Sequence, residues 1–504
     1  MSASYANDKR FPGGLRTGDQ YIGGLKNDGR RVFIDGEEVA DVTGHPAFRE
    51  AVRSIADLYD IASDPANREL MTFPSPATGE PVNRIWQVPR SEADLHARRA
   101  AIARWSEATF GLMGRSPDHV AGFFVGWASA PEVFARNGAA ERADNFMRFF
   151  EFLRDRDIFI TYTIVPPQID RSKPMHQQNP ADLYAGVVDE RDDGVVIRGA
   201  QMLGTGTALS DYVCLSQVSP VRPGDENHAI NVAIACNAPG VKIYSRRSYA
   251  AAASSTFDYP LASRFDETDA LVVFDDVLVP WEQVFVYKDI EICRDQWWDT
   301  GAHTMGNHQA QIRLCTKLQF LMGLAKRIAE MNGVDSIPAV QTLLGDMASY
   351  AAMIEGLVEA QIATCTTNAN GIVVPGRQAL YAAMALQVDV YPRILNLMRE
   401  LCGGGVIQLP SSARDFENPE IRADIDRYTH SPGYSGEERV KLMKLAWDLI
   451  GSEFAGCHDQ YERFYAGPPF VEKSRMYQSY NFDKSRDLVD AALAGYDLSG
   501  RRRK

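Results

Sequence analysis

The sequence predicts an α+β protein in which a helical N-terminal region, a β-rich centre and a C-terminal helix bundle follow one another. Three patterns support this order: helical periodicity to about residue 157, short strands between about residues 182 and 285, and helical periodicity again after residue 299. The chain has 504 residues. We divide it into domains 1–157, 158–286 and 287–504.

The N-terminal region combines helices with one predicted hairpin. Residues 32–39 alternate around Asp35-Gly36, a two-residue turn signal for a β-hairpin. Further along, Ser116 is a favourable N-cap and Pro117 suits the first helical position, so a helix is expected to begin there.

Short apolar runs separated by turn residues fill the centre. The predicted strands cover residues 186–188, 195–197, 231–235, 240–244 and 270–274. This spacing is typical of an antiparallel barrel or sandwich. Asp275 and Asp276 are interpreted as a polar turn after the last strand.

Four amphipathic helices are predicted in the C-terminal region, and successive helices of this kind favour a bundle. Their ends carry recognisable signals. These are the stop at Asn332-Gly333, the start at Pro338, the stop at Gly403 and the capping box of Ser435 and Glu438.

Composition excludes several classes of protein. There are 66 acidic and 53 basic residues, so the net charge is -13 and binding to nucleic acid is not expected. The sequence contains neither a long apolar segment nor a secretory signal, and we expect a cytoplasmic protein that does not enter a membrane. No two of the seven cysteines are within four residues of each other, so no metal site is predicted.

Nucleotide-binding fingerprints are absent from the sequence. There is no GxxxxGK[ST] segment, and the GxGxxG-like start at Gly204-Thr205-Gly206 reaches Leu209 where the third glycine is required. If the protein performs redox chemistry, we therefore do not expect it to bind a nicotinamide through a Rossmann unit.

Several segments in the same order resemble one family, the oxygenase components of 4-hydroxyphenylacetate 3-hydroxylase. Each segment is short, but together they extend over nearly the whole chain. The segments are residues 16–18, 21, 32–36, 41–43, 45–49, 110–119, 167–171, 273–282, 300–302, 308–309 and 461–464.

The resemblance implies an acyl-CoA-dehydrogenase-like fold with an N-terminal helical domain, a central antiparallel β-barrel and a C-terminal four-helix bundle, assembled as a homotetramer. It also implies a two-component monooxygenase. A separate NAD(P)H:flavin reductase would supply FADH2, and O2 would form a C4a-hydroperoxyflavin that hydroxylates a phenolic substrate, typically ortho to its hydroxyl group. A separate reductase agrees with the missing nicotinamide fingerprint.

Three catalytic positions follow from the resemblance. Arg115 matches the arginine that contacts the phenolic oxygen, where a fixed guanidinium stabilises a phenolate. His119 and Tyr162 occupy positions at which the phenylacetate hydroxylase has a tyrosine and a histidine, so the two residue types are exchanged. A neutral His119 could accept the phenol proton. The alternatives are an interhelical ion pair for Arg115 and a solvated His119 balanced by Asp118.

Flavin contacts are also carried over from the family. The matching positions are Tyr162, Thr163, Gln168, Ile169, Asp170, Arg171, Thr205, His308, Gly403, Gly404, Pro468 and Pro469. The glycines are equally well explained as a helix C-cap, and His308 as a core histidine with its hydrogen bonds satisfied.

Other functions remain open at this stage. An acyl-CoA-dehydrogenase-like enzyme needs a glutamate base, for which Glu355 and Glu359 are candidates without a supporting motif. The related 4-hydroxybutyryl-CoA dehydratase carries an iron–sulfur cluster, but its N-terminal cysteine pair is missing because the first cysteine is Cys214. A non-catalytic flavin-binding relative is the third alternative. Simple phenols, nitro- or chlorophenols, aromatic acids and carrier-linked tyrosines all remain possible substrates.

Overall fold

The computed structural model of the chain describes residue 5 and residues 10–496 and has a mixed α+β fold. The N-terminal region is mainly helical, as predicted. Its elements are α1 (Gly18–Leu25), β1 (Arg31–Ile34), β2 (Glu37–Val39), α2 (Arg49–Ser63), α3 (Arg68–Met71), β3 (Thr72–Pro74), β4 (Pro81–Asn83), α4 (Glu92–Ala108), α5 (Pro117–Trp127) and α6 (Ala140–Asp155). The predicted hairpin is confirmed, since Val32 pairs with Val39. The hairpin of β3 and β4 is an addition to the prediction.

The centre contains the predicted strands and several more. Its elements are β5 (Ile160–Thr163), β6 (Gly186–Arg191), β7 (Gly194–Gln201), β8 (Tyr212–Ser216), β9 (Asn231–Ala235), β10 (Val241–Ser245), α7 (Tyr249–Ala252), α8 (Ala262–Phe265), β11 (Ala270–Pro280) and β12 (Val284–Val286). The predicted polar turn at Asp275 and Asp276 is an irregularity inside β11, where the pairing with β7 shifts register between Phe274 and Val277.

In the part of the chain described, these strands do not form the predicted closed antiparallel barrel. One sheet has the order β2-β1-β10-β11-β7-β6, and a separate sheet has the order β12-β9-β8-β5. The successive strands β9 and β10 therefore belong to different sheets. Two pairs, β1 with β10 and β5 with β8, are parallel. The difference arises because the N-terminal hairpin extends one sheet while β5, immediately after α6, joins the other.

The C-terminal region is dominated by long helices whose predicted ends are confirmed. Its elements are α9 (Ile290–Trp298), α10 (Ala302–Met331), α11 (Pro338–Ala363), β13 (Thr366–Thr367), β14 (Val373–Val374), α12 (Arg377–Cys402), α13 (Pro419–Tyr428), α14 (Gly436–Ile450), α15 (Glu453–Phe464), α16 (Pro469–Ser479) and α17 (Phe482–Ala494). Helices α10, α11 and α12 pack on one another, and α14 and α15 pack against α12. None of the helices described is long and apolar enough to cross a membrane.

One continuous cluster of buried apolar side chains includes residues from all three regions, such as Trp105, Val272 and Leu321. The domain division at residues 157 and 286 stays a prediction. Helix α5 lies very close to α10, because an added Cβ at Gly126 would overlap the backbone of Ala302. This close packing fixes α5, which begins directly after Arg115, against the bundle.

Candidate active site

The candidate site is built on the turn that leads into α5. Ser116 is the N-cap and Pro117 the first helical residue, as predicted. The backbone N–H groups of Gly114 and Arg115 donate to the two carboxylate oxygens of Glu267, at 2.9 and 2.6 Å. This buried carboxylate holds the backbone of the turn in place. It therefore fixes the direction in which the Arg115 side chain extends from the backbone.

The three predicted catalytic residues lie together and are called the Arg115 cluster below. Arg115 Nη1 is 2.5 Å from His119 Nε2, one helical turn further on. The hydroxyl group of Tyr162, on β5, is 3.3 Å from the same nitrogen. Tyr162 thus reaches His119 from β5, which pairs with β8, whereas Arg115 reaches it from the turn before α5.

His119 is buried and neutral. The residue is only 1 % exposed. Burial and the positive charge of Arg115 lower the pKa of its imidazole well below the ordinary value. Asp118 is equally buried and accepts from the hydroxyl group of Ser116 at 2.6 Å. The alternative of a solvated histidine is therefore wrong.

Arg115 is enclosed by aromatic rings. Its guanidinium carbon is 4.1 Å from the ring centroid of Tyr465, 5.3 Å from that of Tyr162 and 5.6 Å from that of Tyr461. Nη2 donates to the backbone carbonyl of Tyr465 at 3.2 Å. Within the described chain no carboxylate lies in ion-pair distance of this guanidinium, so the structure contains no interhelical ion pair. The Glu267 carboxylate accepts from the backbone N–H of Arg115 and acts on the guanidinium only from a longer distance.

A second buried set of charges lies behind Tyr465 and is called the ion-pair cluster. It consists of Arg313, Lys317, Glu462 and His458. Both guanidinium Nη atoms of Arg313 donate to Glu462 at 2.7 Å, and Lys317 Nζ donates to Glu462 Oε1 at 2.8 Å. Although burial opposes ionisation, the two cations hold the pKa of the Glu462 carboxyl below its usual range. This cluster contains its own anion.

The loop after β5 carries most of the predicted flavin contacts. An isolated bridge joins Val165 to Met202 and brings this loop beside the segment that follows β7. The neighbouring apolar side chains of Ile169 and Leu203 are 54 % and 52 % exposed. The side chains of Gln168 and Arg171 have no hydrogen-bond or ion-pair partner within residues 10–496. Exposed apolar groups beside a free amide and a free guanidinium suit a flat ring with a charged phosphate tail.

The remaining predicted contacts on this side of the molecule have partners inside the chain. Thr163 Oγ1 donates to the carbonyl of Met202 at 3.3 Å, and Thr205 Oγ1 donates to Asp269 at 2.6 Å. Asp170 accepts from Ser172, and His308 Nδ1 lies 2.7 Å from the Gln361 amide oxygen. His308 Nε2 is buried without a partner. Their contacts to flavin stay predictions.

The glycine and proline positions are at helix ends in the C-terminal region. Gly403 is the C-cap of α12, with a φ of 52°, and both Gly403 and Gly404 are exposed. Pro469 opens α16, and Pro468 follows Tyr465 by three residues. The position of Gly403 at the end of α12 agrees with the explanation of these glycines as a helix cap. Their role beside a flavin from another subunit stays a prediction.

Four residues of the site have no role in the sequence-based prediction. Tyr461 and Gln309 lie in segments that resemble the family, which is the signal that could have found them. Tyr465, one residue beyond such a segment, donates to the carbonyl of Gly114 at 2.5 Å. No sequence pattern distinguishes Glu267 from the neighbouring acids, because only its burial and its two backbone contacts identify it.

Metal-binding geometry is missing from the residues described. No three histidine, cysteine, aspartate or glutamate side chains among them are placed to hold one ion. All seven cysteines are free thiols. The described structure thus contains no ligand set of the kind that the iron–sulfur alternative requires.

Comparison with known proteins agrees with the fold and the site. Residues 17–286 match the family model described as 4-hydroxyphenylacetate 3-hydroxylase N terminal, and residues 293–494 match that of the C terminal. The 4-hydroxyphenylacetate 3-monooxygenase oxygenase component of Klebsiella oxytoca is 37% identical over 96% of this chain and 94% of its own. The 4-nitrophenol 2-monooxygenase oxygenase component of a Rhodococcus species is 33% identical over 96% and 93%.

Solved structures give the same result. The oxygenase component of 4-hydroxyphenylacetate 3-monooxygenase, complexed with FAD and 4-hydroxyphenylacetate, superimposes with a TM-score of 0.90 at 33% identity, over 95% of this chain and 98% of that one. A 4-hydroxybutyryl-CoA dehydratase from N. maritimus has a TM-score of 0.87 at 21% identity over 97% of both chains, which shows a shared fold only. The chain therefore belongs to the 4-hydroxyphenylacetate 3-hydroxylase family, the flavin-dependent aromatic monooxygenases.

Proposed function

We propose that this chain is the oxygenase component of a two-component monooxygenase that uses FADH2 and O2 to hydroxylate a phenol ortho to its hydroxyl group. One observation carries the proposal. A half-buried Arg115 with no carboxylate in ion-pair distance among the described residues lies against a neutral His119, and the Tyr162 hydroxyl group is 3.3 Å from the same imidazole nitrogen. An anionic phenolate oxygen is the partner that this arrangement lacks.

The cluster would activate a phenol in one proton transfer. The O–H bond of the phenol breaks, its proton moves to His119 Nε2, and the resulting phenolate oxygen remains beside the Arg115 guanidinium. Burial and Arg115 keep His119 unprotonated in the free enzyme. The phenolate that forms in this step offsets the charge of Arg115, which lowers the cost of the imidazolium formed at the same time. A phenolate is more electron-rich at its ortho carbon than the neutral phenol.

FAD fits beside this cluster on the evidence of the loop after β5. Gln168 and Arg171 have free polar ends, and Ile169 and Leu203 offer exposed apolar surface. When bound in its reduced form, the flavin supplies with O2 the electrophilic oxygen atom for hydroxylation. Arg171 would neutralise phosphate charge and Gln168 would orient the ring. Tyr162, which belongs to the Arg115 cluster, and Thr163 end β5, and this loop follows them directly in the chain.

Partners of this chain follow from the same proposal. FADH2 would come from a separate NAD(P)H:flavin reductase, as the term oxygenase component in the names of its relatives implies. We also propose a homotetramer, because α17 exposes Leu488, Val489 and Leu493 on a helix with no buried residue. A second copy of the chain would cover such a surface.

The substrate is a phenol of unspecified side chain. The relatives named for 4-hydroxyphenylacetate and 4-nitrophenol are similarly distant from this chain. The exchange of histidine and tyrosine between positions 119 and 162 moves the proton acceptor from the sheet to the helix, so preference for 4-hydroxyphenylacetate does not follow from family membership.

Product analysis tests the proposal. The full chain is supplied with chemically reduced FAD, O2 and a panel of phenols that includes 4-hydroxyphenylacetate and 4-nitrophenol. We expect a catechol-type product from at least one phenol, with hydrogen peroxide as the minor product. Hydrogen peroxide alone across the whole panel would contradict the proposal. The Glu38→Gln variant, altered in an exposed ion pair with Arg31, is the matched control and should give the wild-type product yield.

A further inference from the structure

Gln309, on α10, lies beside the imidazole nitrogen of His119 that faces away from Arg115. Its amide oxygen is 2.9 Å from His119 Nδ1. The sequence alone assigns this buried glutamine no role, and the proposed proton transfer does not use it. Its position bears on the tautomer of His119.

The tautomer follows from the donors around the ring. Arg115 can only donate, so His119 Nε2, at 2.5 Å from Nη1, must be an acceptor without a hydrogen atom. A neutral imidazole then carries its proton on Nδ1, and Nδ1–H donates to the Gln309 amide oxygen. Tyr465 donates its own hydroxyl hydrogen to the carbonyl of Gly114, so its oxygen, 3.1 Å from Nδ1, is a second acceptor for the same proton.

The Asp118 carboxyl is near the Gln309 amide. Nε2 of Gln309 and Oδ2 of Asp118 are both buried and have no hydrogen-bond partner within the described residues. Burial raises the pKa of the Asp118 carboxyl, and the Ser116 hydroxyl group and the nearby Gln309 amide oppose that change. The acceptor role of the Gln309 oxygen follows from its 2.9 Å distance to the Nδ1 atom that carries the proton.

We propose that Gln309 is a positioning residue that keeps the proton of neutral His119 on Nδ1, so that the lone pair is on Nε2. This lone pair accepts from Arg115 in the free chain and takes the phenolic proton once the substrate oxygen accepts from Arg115 in its place. The proposal rests on the proposed function. In the transfer, the phenol O–H bond breaks and an Nε2–H bond forms. The Nδ1–H···O contact to Gln309 then stabilises the imidazolium, with the Asp118 charge behind it.

The charged and titratable groups that face His119 are on several elements. Arg115 precedes α5, Tyr162 is on β5, Tyr465 follows α15, and Arg313 on α10 also disfavours the imidazolium. Both arginines oppose protonation of His119. Gln309 supplies the hydrogen bond that favours it, so its loss should be visible in how readily the bound phenol ionises.

A coloured phenol measures this without turnover. The full chain is titrated with 4-nitrophenol under argon, both with FADH2 and without flavin, and the phenolate absorbance of the bound ligand is followed against pH. The pH at which half of the bound phenol is ionised is the readout. For the wild type we expect this midpoint to lie below that of the same phenol in buffer.

Gln309→Met preserves the length of the side chain and removes the acceptor. We expect its midpoint to rise by about one to two pH units, because a hydrogen bond to a charged group is lost. In turnover we expect kcat to fall by about 10-fold or more, with KM changing less, since Arg115 still binds the phenol. Gln311→Met, on the same helix and bonded to Gln387, is the control and should keep the wild-type midpoint.

Gln309→Glu provides a second measurement if Gln309→Met does not fold, because it retains an oxygen acceptor. Its midpoint should be at or below that of the wild type. A wild-type midpoint in Gln309→Met, or a raised midpoint in Gln309→Glu, overturns the role of Gln309. A wild-type chain that binds 4-nitrophenol only in its neutral form contradicts the proposed proton transfer itself, so the two failures are distinguishable.

Discussion

Two groups of charges lie close to the Tyr465 ring, the half-buried Arg115 cluster and the buried ion-pair cluster, and only one of them contains an ion pair. Arg115 is 4.1 Å and Arg313 is 4.7 Å from the centroid of this ring. The ion-pair cluster contains Glu462, which accepts from Arg313 and from Lys317. The Arg115 cluster has no carboxylate within ion-pair distance in the part of the chain described.

The difference separates a structural charge from a functional one. Burying a charge is costly unless an opposite charge and hydrogen bonds accompany it, and the ion-pair cluster meets that condition within the fold. The Arg115 cluster meets it only in part, through aromatic faces, a neutral imidazole and one carbonyl. We propose that the substrate supplies the anion that Arg115 lacks as an ion-pair partner.

Removing the anion of the ion-pair cluster should have the largest effect on stability. In Glu462→Gln, the two cations Arg313 and Lys317 lose their carboxylate, and we expect the free energy of unfolding to fall by about 3–5 kcal/mol. Denaturant unfolding measures it. Glu38→Gln, in an exposed pair, should leave the free energy of unfolding nearly unchanged. Equal stability of the two variants would mean that the ion-pair cluster is not structural.

Removing the cation of the Arg115 cluster should instead affect activity. For Arg115→Gln we expect kcat/KM to fall by about 100- to 1000-fold, because the phenolate loses its charged partner. The free energy of unfolding should be unchanged or slightly higher, since a half-buried charge without an ion-pair partner has been removed. A variant that unfolds easily yet hydroxylates normally would reverse the assignment of the two clusters.

Replacing the proton acceptor should change the pH dependence. The pKa of His119 lies well below its ordinary value, so the wild-type rate should fall only as the pH drops through that lowered pKa and protonation removes the Nε2 lone pair. In His119→Asn we expect kcat to be about 100-fold lower. The variant should also lack this acidic decline. Persistence of the same decline in the variant would assign it to another group.

The smallest effect is expected for Tyr162→Phe. Its hydroxyl group is 3.3 Å from His119 Nε2, a long contact, and burial raises the pKa of this phenol, so it stays protonated. We expect kcat/KM to fall by about 10-fold or less, as for loss of one neutral hydrogen bond. A loss as large as that of Arg115→Gln would show that Tyr162, rather than His119, takes the proton.

The sequence was most informative where a local signal decides the structure. The turn at Asp35-Gly36, the start of α5 at Pro117 and the stop of α12 at Gly403 depend on neighbouring residues only, and all three are confirmed. The sheets depend on pairing between distant strands. The closed barrel was predicted without knowledge of which strands pair. In the structure β5 pairs with β8, and the N-terminal hairpin pairs with β10.

The site shows the same division. Family resemblance selected Arg115, His119 and Tyr162, which the fold brings together. It could not select Glu267, whose importance lies in accepting from the backbone of the turn before α5. The sequence also could not predict that Arg115 has no ion-pair partner among the described residues. That absence depends on the side chains of every element around Arg115.

A structure of the full chain with a bound phenol tests the central claim most directly. We expect the phenolic oxygen within about 3.2 Å of both Arg115 Nη1 and His119 Nε2. The ion-pair cluster should be unchanged. A phenol bound elsewhere, with the Arg115–His119 contact intact, would contradict the assignment of the missing anion to the substrate.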